Sequence, residues 1–193
     1  YLLTCNASEI AVMLLWPLAA WLFGISLGTA TIALLPLQIL WMNLVTDGLP
    51  ALALGVEKAE RNVMRRPPFR PDENIFARGM GAFILVIGII MSLAAIAIGL
   101  LAFARGDEAW RTLLFTTLIF TQTAIAVSVR SEVDSVFKIG LFTNRSMVLA
   151  VVVTVALQLL VIYVPFLQVI FGTQPLNALD LLIAVGAGLA VFI

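Results

Sequence analysis

Six stretches of predominantly apolar residues recur along the chain: Tyr1–Phe23, Ile32–Gly55, Gly81–Ala104, Arg111–Val129, Met147–Val164 and Ala178–Ile193. A helix needs about 20 such residues to cross the hydrocarbon core of a bilayer. The pattern therefore predicts an all-α fold, a polytopic transmembrane helical bundle of about six spans whose short connections make neighbours mostly antiparallel. The last stretch is the shortest and is expected to be clipped. Spans one and two differ from the rest because polar side chains interrupt them, Asn6-Ala7-Ser8-Glu9 in the first and Trp41-Met42-Asn43-Leu44-Val45-Thr46-Asp47-Gly48-Leu49-Pro50 in the second.

Composition agrees with this reading. The chain is 62% apolar and only 11% charged, lacks histidine and has a mean hydropathy of +1.12, against about 25% charged residues in soluble domains. Membrane lipid is thus an expected partner, and no nucleic-acid partner is expected. The single Cys5 excludes an intrachain disulfide and a cysteine metal cluster. Both ends lie inside apolar patterns, so the chain is expected to be a piece of a longer polypeptide.

Net charge is zero, but the basic residues are unevenly placed. Lys58, Arg61, Arg65, Arg66, Arg70 and Arg78 follow span two, and Arg130, Lys138 and Arg145 follow span four, leaving only Arg105 and Arg111 elsewhere. Positive residues favour the cytosolic side, so these two loops are expected to be cytosolic. Trp16, Trp21 and Trp110 then fall near the opposite interface, as an aromatic belt would. The sequon Asn144-Arg145-Ser146 lies on the cytosolic side and is discounted.

The candidate chemistry lies in the polar interruptions. An acid near the bilayer centre costs about 2.5–3.5 kcal/mol even on the lenient scale, so Glu9 and Asp47 need a reason. Asn6 and Glu9 are three apart, and Asn43, Thr46 and Asp47 stand at i, i+3 and i+4, so each set shares one helix face. All five residues offer oxygen, which suits a hard cation such as calcium; softer metals want Cys or His. Pro50 has no N–H for the Thr46 carbonyl, and with Gly48 it predicts a broken second helix beside Asp47 that frees backbone carbonyls. A single buried Asn or Thr can simply join helices, and Pro50 alone can be a kink. However, no basic residue lies in the apolar interior of a span to pair with the acids, which favours cation coordination by the full set.

The run Leu37–Gly55 resembles the sixth transmembrane helix of type II P-type ATPases, in their calcium-pump branch. Tyr1–Glu9 resembles the end of the fifth helix, and Met64-Arg65-Arg66-Pro67-Pro68 resembles the basic stretch after the sixth. Beyond Gly81 the likeness is one of hydropathy and loop placement, with a short match at Phe115–Ser131. The resemblance implies that residues 1–193 form the C-terminal transmembrane domain, helices five to ten of ten, and that Asn6, Glu9, Asn43, Thr46 and Asp47 ligate the transported cation. Calcium is the first candidate, ahead of sodium, potassium or manganese. It also implies that ATP and Mg2+ act on cytosolic domains elsewhere in the polypeptide, so that the pump is an enzyme although this piece holds no phosphorylation motif. Those domains and the first four helices are then its partners, and the 57–78 loop is either a contact to the phosphorylated domain or a stiff connector. Where the calcium pump's eighth helix carries a carboxylate, this chain has Gln122, which is either a ligand or an interhelical hydrogen bond. Two other readings remain: a gradient-driven secondary transporter, which would show a second broken helix, and a structural membrane anchor.

Overall fold

The structure, a computed structural model, describes residues 1–24, 32–57, 73–74, 76, 78–131, 138 and 140–192. The basic residues from Lys58 to Arg70, the Met64–Pro68 stretch and Glu60 lie outside these. The described residues form helices α1 (Leu2–Leu22), α2 (Pro36–Trp41), a π-helical turn (Met42–Thr46), α3 (Gly48–Gly55), α4 (Met80–Ala104), α5 (Trp110–Ser128), a short 3-10 turn (Leu141–Thr143), α6 (Arg145–Tyr163), α7 (Pro165–Phe171) and α8 (Ala178–Phe192). The all-helical bundle expected from the sequence is what the chain forms. Among the described residues, four stretches are long and apolar enough to cross a membrane, Leu2–Leu22, Pro36–Gly55, Met80–Ala104 and Arg145–Tyr163, and the protein is an integral membrane protein.

Helix α5, which falls on the fourth apolar stretch predicted from the sequence, is the centre of the bundle. Nearly every side chain of α5 is buried, including Thr112, Thr116, Thr117, Thr121 and Gln122, and α4, α6 and α8 pack around it. A helix shielded from lipid can carry hydroxyls and amides, because neighbouring helices supply hydrogen-bond partners; Gln158 of α6, for instance, donates to Thr116 Oγ1 at 3.1 Å. Glycines set the closest approaches. A Cβ on Gly88 of α4 would lie 3.0 Å from Ala7 Cβ of α1, one on Gly99 would lie 2.8 Å from Leu114 of α5, and one on Gly188 of α8 would lie 3.0 Å from the Phe120 carbonyl. At Gly81 the neighbour is Phe76, in the chain leading into α4.

Two of the three belt tryptophans also need correction. Trp16 is fully buried and stacks on Trp110 at 4.7 Å with the rings 4° from parallel, while Phe103 meets Trp110 edge-on. Flat rings facing each other across α1 and α5 gain more from mutual burial than from an interface position. Trp21 alone is exposed, at 68%.

The fifth span is followed by a helix the apolar pattern did not separate. Val164 is extended, and Pro165 restarts the chain as the first residue of α7, where its missing N–H costs nothing. Gly172, at φ +62°, ends α7 in the left-handed region. Gln38, fully buried, accepts from Leu35 N and donates to the Phe171 carbonyl, tying α2 to the end of α7.

Candidate functional site

The second span is broken where the polar residues lie. Asp47 N bonds the Met42 carbonyl at 2.8 Å, five residues back, which is the signature of a π turn. Local side chains help to open it. The Thr46 hydroxyl donates to the same Met42 carbonyl at 3.2 Å, and Asn43 Nδ2 donates to the Ile39 carbonyl at 3.0 Å. Pro50 has no N–H for the Thr46 carbonyl, and regular i→i−4 bonding is in place by Ala51 N, which bonds Asp47 O at 3.0 Å. The loosened segment is thus Met42–Thr46, just before Asp47, whereas Gly48 and Pro50 already belong to the regular α3.

Spans one and two pair as an antiparallel couple around this break. The Tyr1 hydroxyl donates to Asp47 Oδ1 at 3.0 Å, and Asn43 Nδ2 donates to Glu9 Oε2 at 2.7 Å. The second oxygen of Glu9 accepts from Gln122 Nε2 of α5 at 3.1 Å. Three spans therefore meet at Glu9. Asp47 and Glu9 are buried, at 0% and 4% exposure, as are Thr46 and Gln122, while Asn43 sits at the open edge of the group.

Five predicted residues occupy this region with distinct roles. Glu9 and Asn43 touch directly, Asp47 lies on the same broken turn, and the Thr46 side chain is turned back on its own helix. Asn6 stands one turn before Glu9, and its Oδ1 is buried with no hydrogen-bond partner. Asp47 Oδ2 and Gln122 Oε1 are in the same condition. Gln122 is therefore both an interhelical hydrogen bond, through its nitrogen, and an unengaged oxygen donor. Tyr1 is the neighbour that the sequence reading missed; its place at the start of span one gave no hint of a partner 46 positions away.

An orphaned buried acceptor costs about 1–3 kcal/mol, more when charged. Of the three here, Asp47 Oδ2 belongs to one of the two acids, Gln122 bonds the other and Asn6 stands one helical turn from it, and among the described residues neither acid forms a salt bridge. Arg111 and Arg130, at the two ends of α5, are engaged away from the acids: Arg111 lies over the Trp110 ring and reaches the Ile32 carbonyl, and Arg130 pairs with Glu57. No group of three or more His, Cys, Asp and Glu side chains able to hold a metal is found among the described residues, so any cation here must take amide, hydroxyl or backbone oxygens along with the two acids.

Asn144, the discounted sequon residue, is 8% exposed. Its Oδ1 caps α6 through Met147 N, and its Nδ2 donates to Ala53 O and Glu57 Oε2. These bonds leave no nitrogen accessible for a glycan.

Comparison with known proteins places this arrangement in a family. Residues 31–193 match the family described as "Cation transporting ATPase, C-terminus". The chain is 39% identical over 189 residues to a calcium-transporting ATPase of Bacillus subtilis, covering 96% of the chain and 20% of that protein. It is also 39% identical over 165 residues to the calcium-transporting ATPase type 2C member 2 of Mus musculus, covering 81% of the chain and 17% of that protein. A third relative, the human calcium-transporting ATPase type 2C member 1, is 39% identical over 152 residues, covering 78% of the chain and 16% of its own length. The chain thus spans about one-fifth of the length of these relatives. It belongs to the cation-transporting ATPase family, matching its C-terminal part.

Proposed function

We propose that this chain is the C-terminal transmembrane domain of an ATP-driven cation pump and that it supplies most of the membrane site for the transported ion, calcium. The observation that carries this reading is the trio of buried oxygens without donors, on Asn6, Asp47 and Gln122, beside the carboxylates of Glu9 and Asp47. Two negative charges match one divalent ion, and calcium takes six to eight oxygens from mixed carboxylates and carbonyls. The names of the similar proteins support calcium as the cargo.

The residues present fit such an ion after a small rearrangement. Asn43 and Gln122 now turn their NH2 groups to Glu9. Half a turn about the last side-chain bond brings each carbonyl oxygen to the same place, so an arriving cation replaces amide N–H donors with amide oxygens. Asp47 keeps the Tyr1 hydroxyl on one oxygen and offers the other. The Thr46 carbonyl, deprived of a donor by Pro50, is a further ligand. Asn43 lies on the open side of the group, and a helix from the rest of the polypeptide would supply the ligands still missing there. ATP and Mg2+ act in the rest of the polypeptide, and the loops rich in Lys and Arg face the cytosol.

The alternatives fit less well. Among the described residues after Gly81 there is no second π turn in a span that would pair with Met42–Thr46, as an inverted repeat of a secondary transporter would require. A structural anchor has no use for two buried acids around orphaned oxygens. In the full-length protein, calcium should trigger phosphorylation by ATP, and Asp47→Asn should abolish that stimulation. Normal stimulation in that variant would show that Asp47 is not a ligand.

A further inference from the structure

At the basic end of the bundle, two site-bearing helices are bolted together. Glu57, just past the end of α3, receives a fork from Arg130, just past the end of α5: Nε to Oε2 at 2.8 Å and Nη2 to Oε1 at 3.1 Å. Arg130 also donates to the Gly140 carbonyl at 3.2 Å and to Thr143 Oγ1 at 2.8 Å. The Arg130 side chain is fully buried. Asn144 completes the joint, giving Nδ2 to Ala53 O and Glu57 Oε2 while its Oδ1 caps α6. Three segments of chain meet in this joint: the end of α3, the end of α5 and the Gly140–Asn144 stretch that leads into α6.

The same two helices meet again at the cation site. Asp47 begins the rise to Glu57, ten residues or about 15 Å of helix away. Gln122 lies eight residues before Arg130, about 12 Å along α5. Gln122 bonds Glu9, Glu9 bonds Asn43, and Asn43 stands on the π turn that ends at Asp47. The bonds and helices therefore close a ring: α3 and α5 are its uprights, the Glu57–Arg130 fork one crossbar, and the Gln122–Glu9–Asn43 chain the other. The uprights are of similar length and run in the same direction, so sliding one past the other breaks a crossbar. The π turn is the irregular part of this ring, and it carries Asn43 and Thr46 and leads directly into Asp47.

We propose that Glu57, Arg130 and Asn144 are positioning residues that hold Asp47 and Gln122 in register and thereby set the affinity of the membrane site for its cation. This rests on the reading of the site as a calcium site. The ion pair would otherwise be a buried structural bridge, whose loss lowers the amount of folded protein without altering the affinity of the molecules that fold.

Equilibrium binding of radioactive Ca2+ to membranes containing the full-length protein separates the two roles. Glu57→Gln is expected to raise the Kd about five- to tenfold, a typical coupling between distant sites, with the number of sites per folded molecule unchanged. Arg130→Lys, which keeps the charge but loses the planar fork, should give a smaller rise, and the double variant Glu57→Gln/Arg130→Gln should be no weaker than Glu57→Gln. Thr143→Val removes one acceptor at an exposed position without orphaning the ion pair, and is expected to raise the Kd about twofold, a share of the same coupling. An unchanged Kd in Glu57→Gln, or in Thr143→Val should Glu57→Gln not accumulate, overturns the positioning role. So does a loss of sites with Kd unaltered. Absence of Ca2+ binding in the wild-type protein itself refutes the calcium reading, and the effect on calcium affinity falls with it.

Discussion

Replacing Glu9 with Gln tests the charge of the site while sparing its shape. Glu9 now accepts two amide N–H bonds, from Asn43 and from Gln122. Gln in its place has one oxygen and one NH2, so one partner must present an acceptor. Gln122 can do this, because its Oε1 is unengaged and a half-turn of its amide brings that oxygen around. Two bonds to a charged group, about 1.5–3 kcal/mol each, become two neutral ones of about 0.5–1.5 kcal/mol. That loss of about 2–3 kcal/mol is offset by no longer burying a charge, so stability should be close to unchanged. Cation binding should behave quite differently. A carboxylate about 2.4 Å from a divalent ion interacts with it by about 14 kcal/mol at an effective dielectric of about 20. If desolvation and the retained amide oxygen cancel four-fifths of this, about 2.8 kcal/mol remains, or roughly a hundredfold in Kd. Thermal unfolding in detergent and equilibrium Ca2+ binding to the full-length protein read the two effects separately. Unchanged affinity refutes a ligand role for Glu9, and loss of folding with residual affinity intact shows that its hydrogen bonds matter more than its charge.

Further outcomes follow from the packing. Trp16→Ala removes the ring stacked on Trp110 and should lower stability by about 3–5 kcal/mol, seen as a lower melting temperature, whereas Trp21→Ala, at an exposed position, should leave melting unchanged. Gly88→Ala drives a methyl group to 3.0 Å from Ala7 Cβ, which has no rotamer with which to yield. It should push α4 from α1 at a cost of about 1–3 kcal/mol, and because Ala7 stands two residues before Glu9, Ca2+ affinity should fall along with melting temperature.

The spans were legible in the sequence because length and hydropathy alone decide whether a helix can cross a bilayer. Glu9 and Asp47 were legible for the converse reason, since an acid in an apolar run is costly enough to signal a function. The facing of the helices was not legible. Spans such as α4 are apolar on all sides, so nothing in their periodicity shows which stripe meets a neighbour, and Trp16 and Trp110 read as interface residues although they stack inside. A break near Asp47 was anticipated from Gly48 and Pro50, but its π form and its position depend on where the Thr46 and Asn43 side chains send their hydrogens, a local competition that spacing does not reveal. The pairs Tyr1–Asp47, Gln122–Glu9 and Glu57–Arg130 join residues 46, 113 and 73 positions apart. Such contacts depend on tertiary packing, and in a single sequence Arg130 looked only like one more charge orienting a loop.

The most direct measurement is an experimental density map of the full-length protein with calcium bound. An ion within about 2.3–2.6 Å of carboxylate oxygens from both Glu9 and Asp47, with the Asn43 and Gln122 amides turned to present oxygen, is the predicted result. An ion bound elsewhere in the membrane, or either acid still engaged only by amide and phenol hydrogens while the protein is saturated, would contradict it.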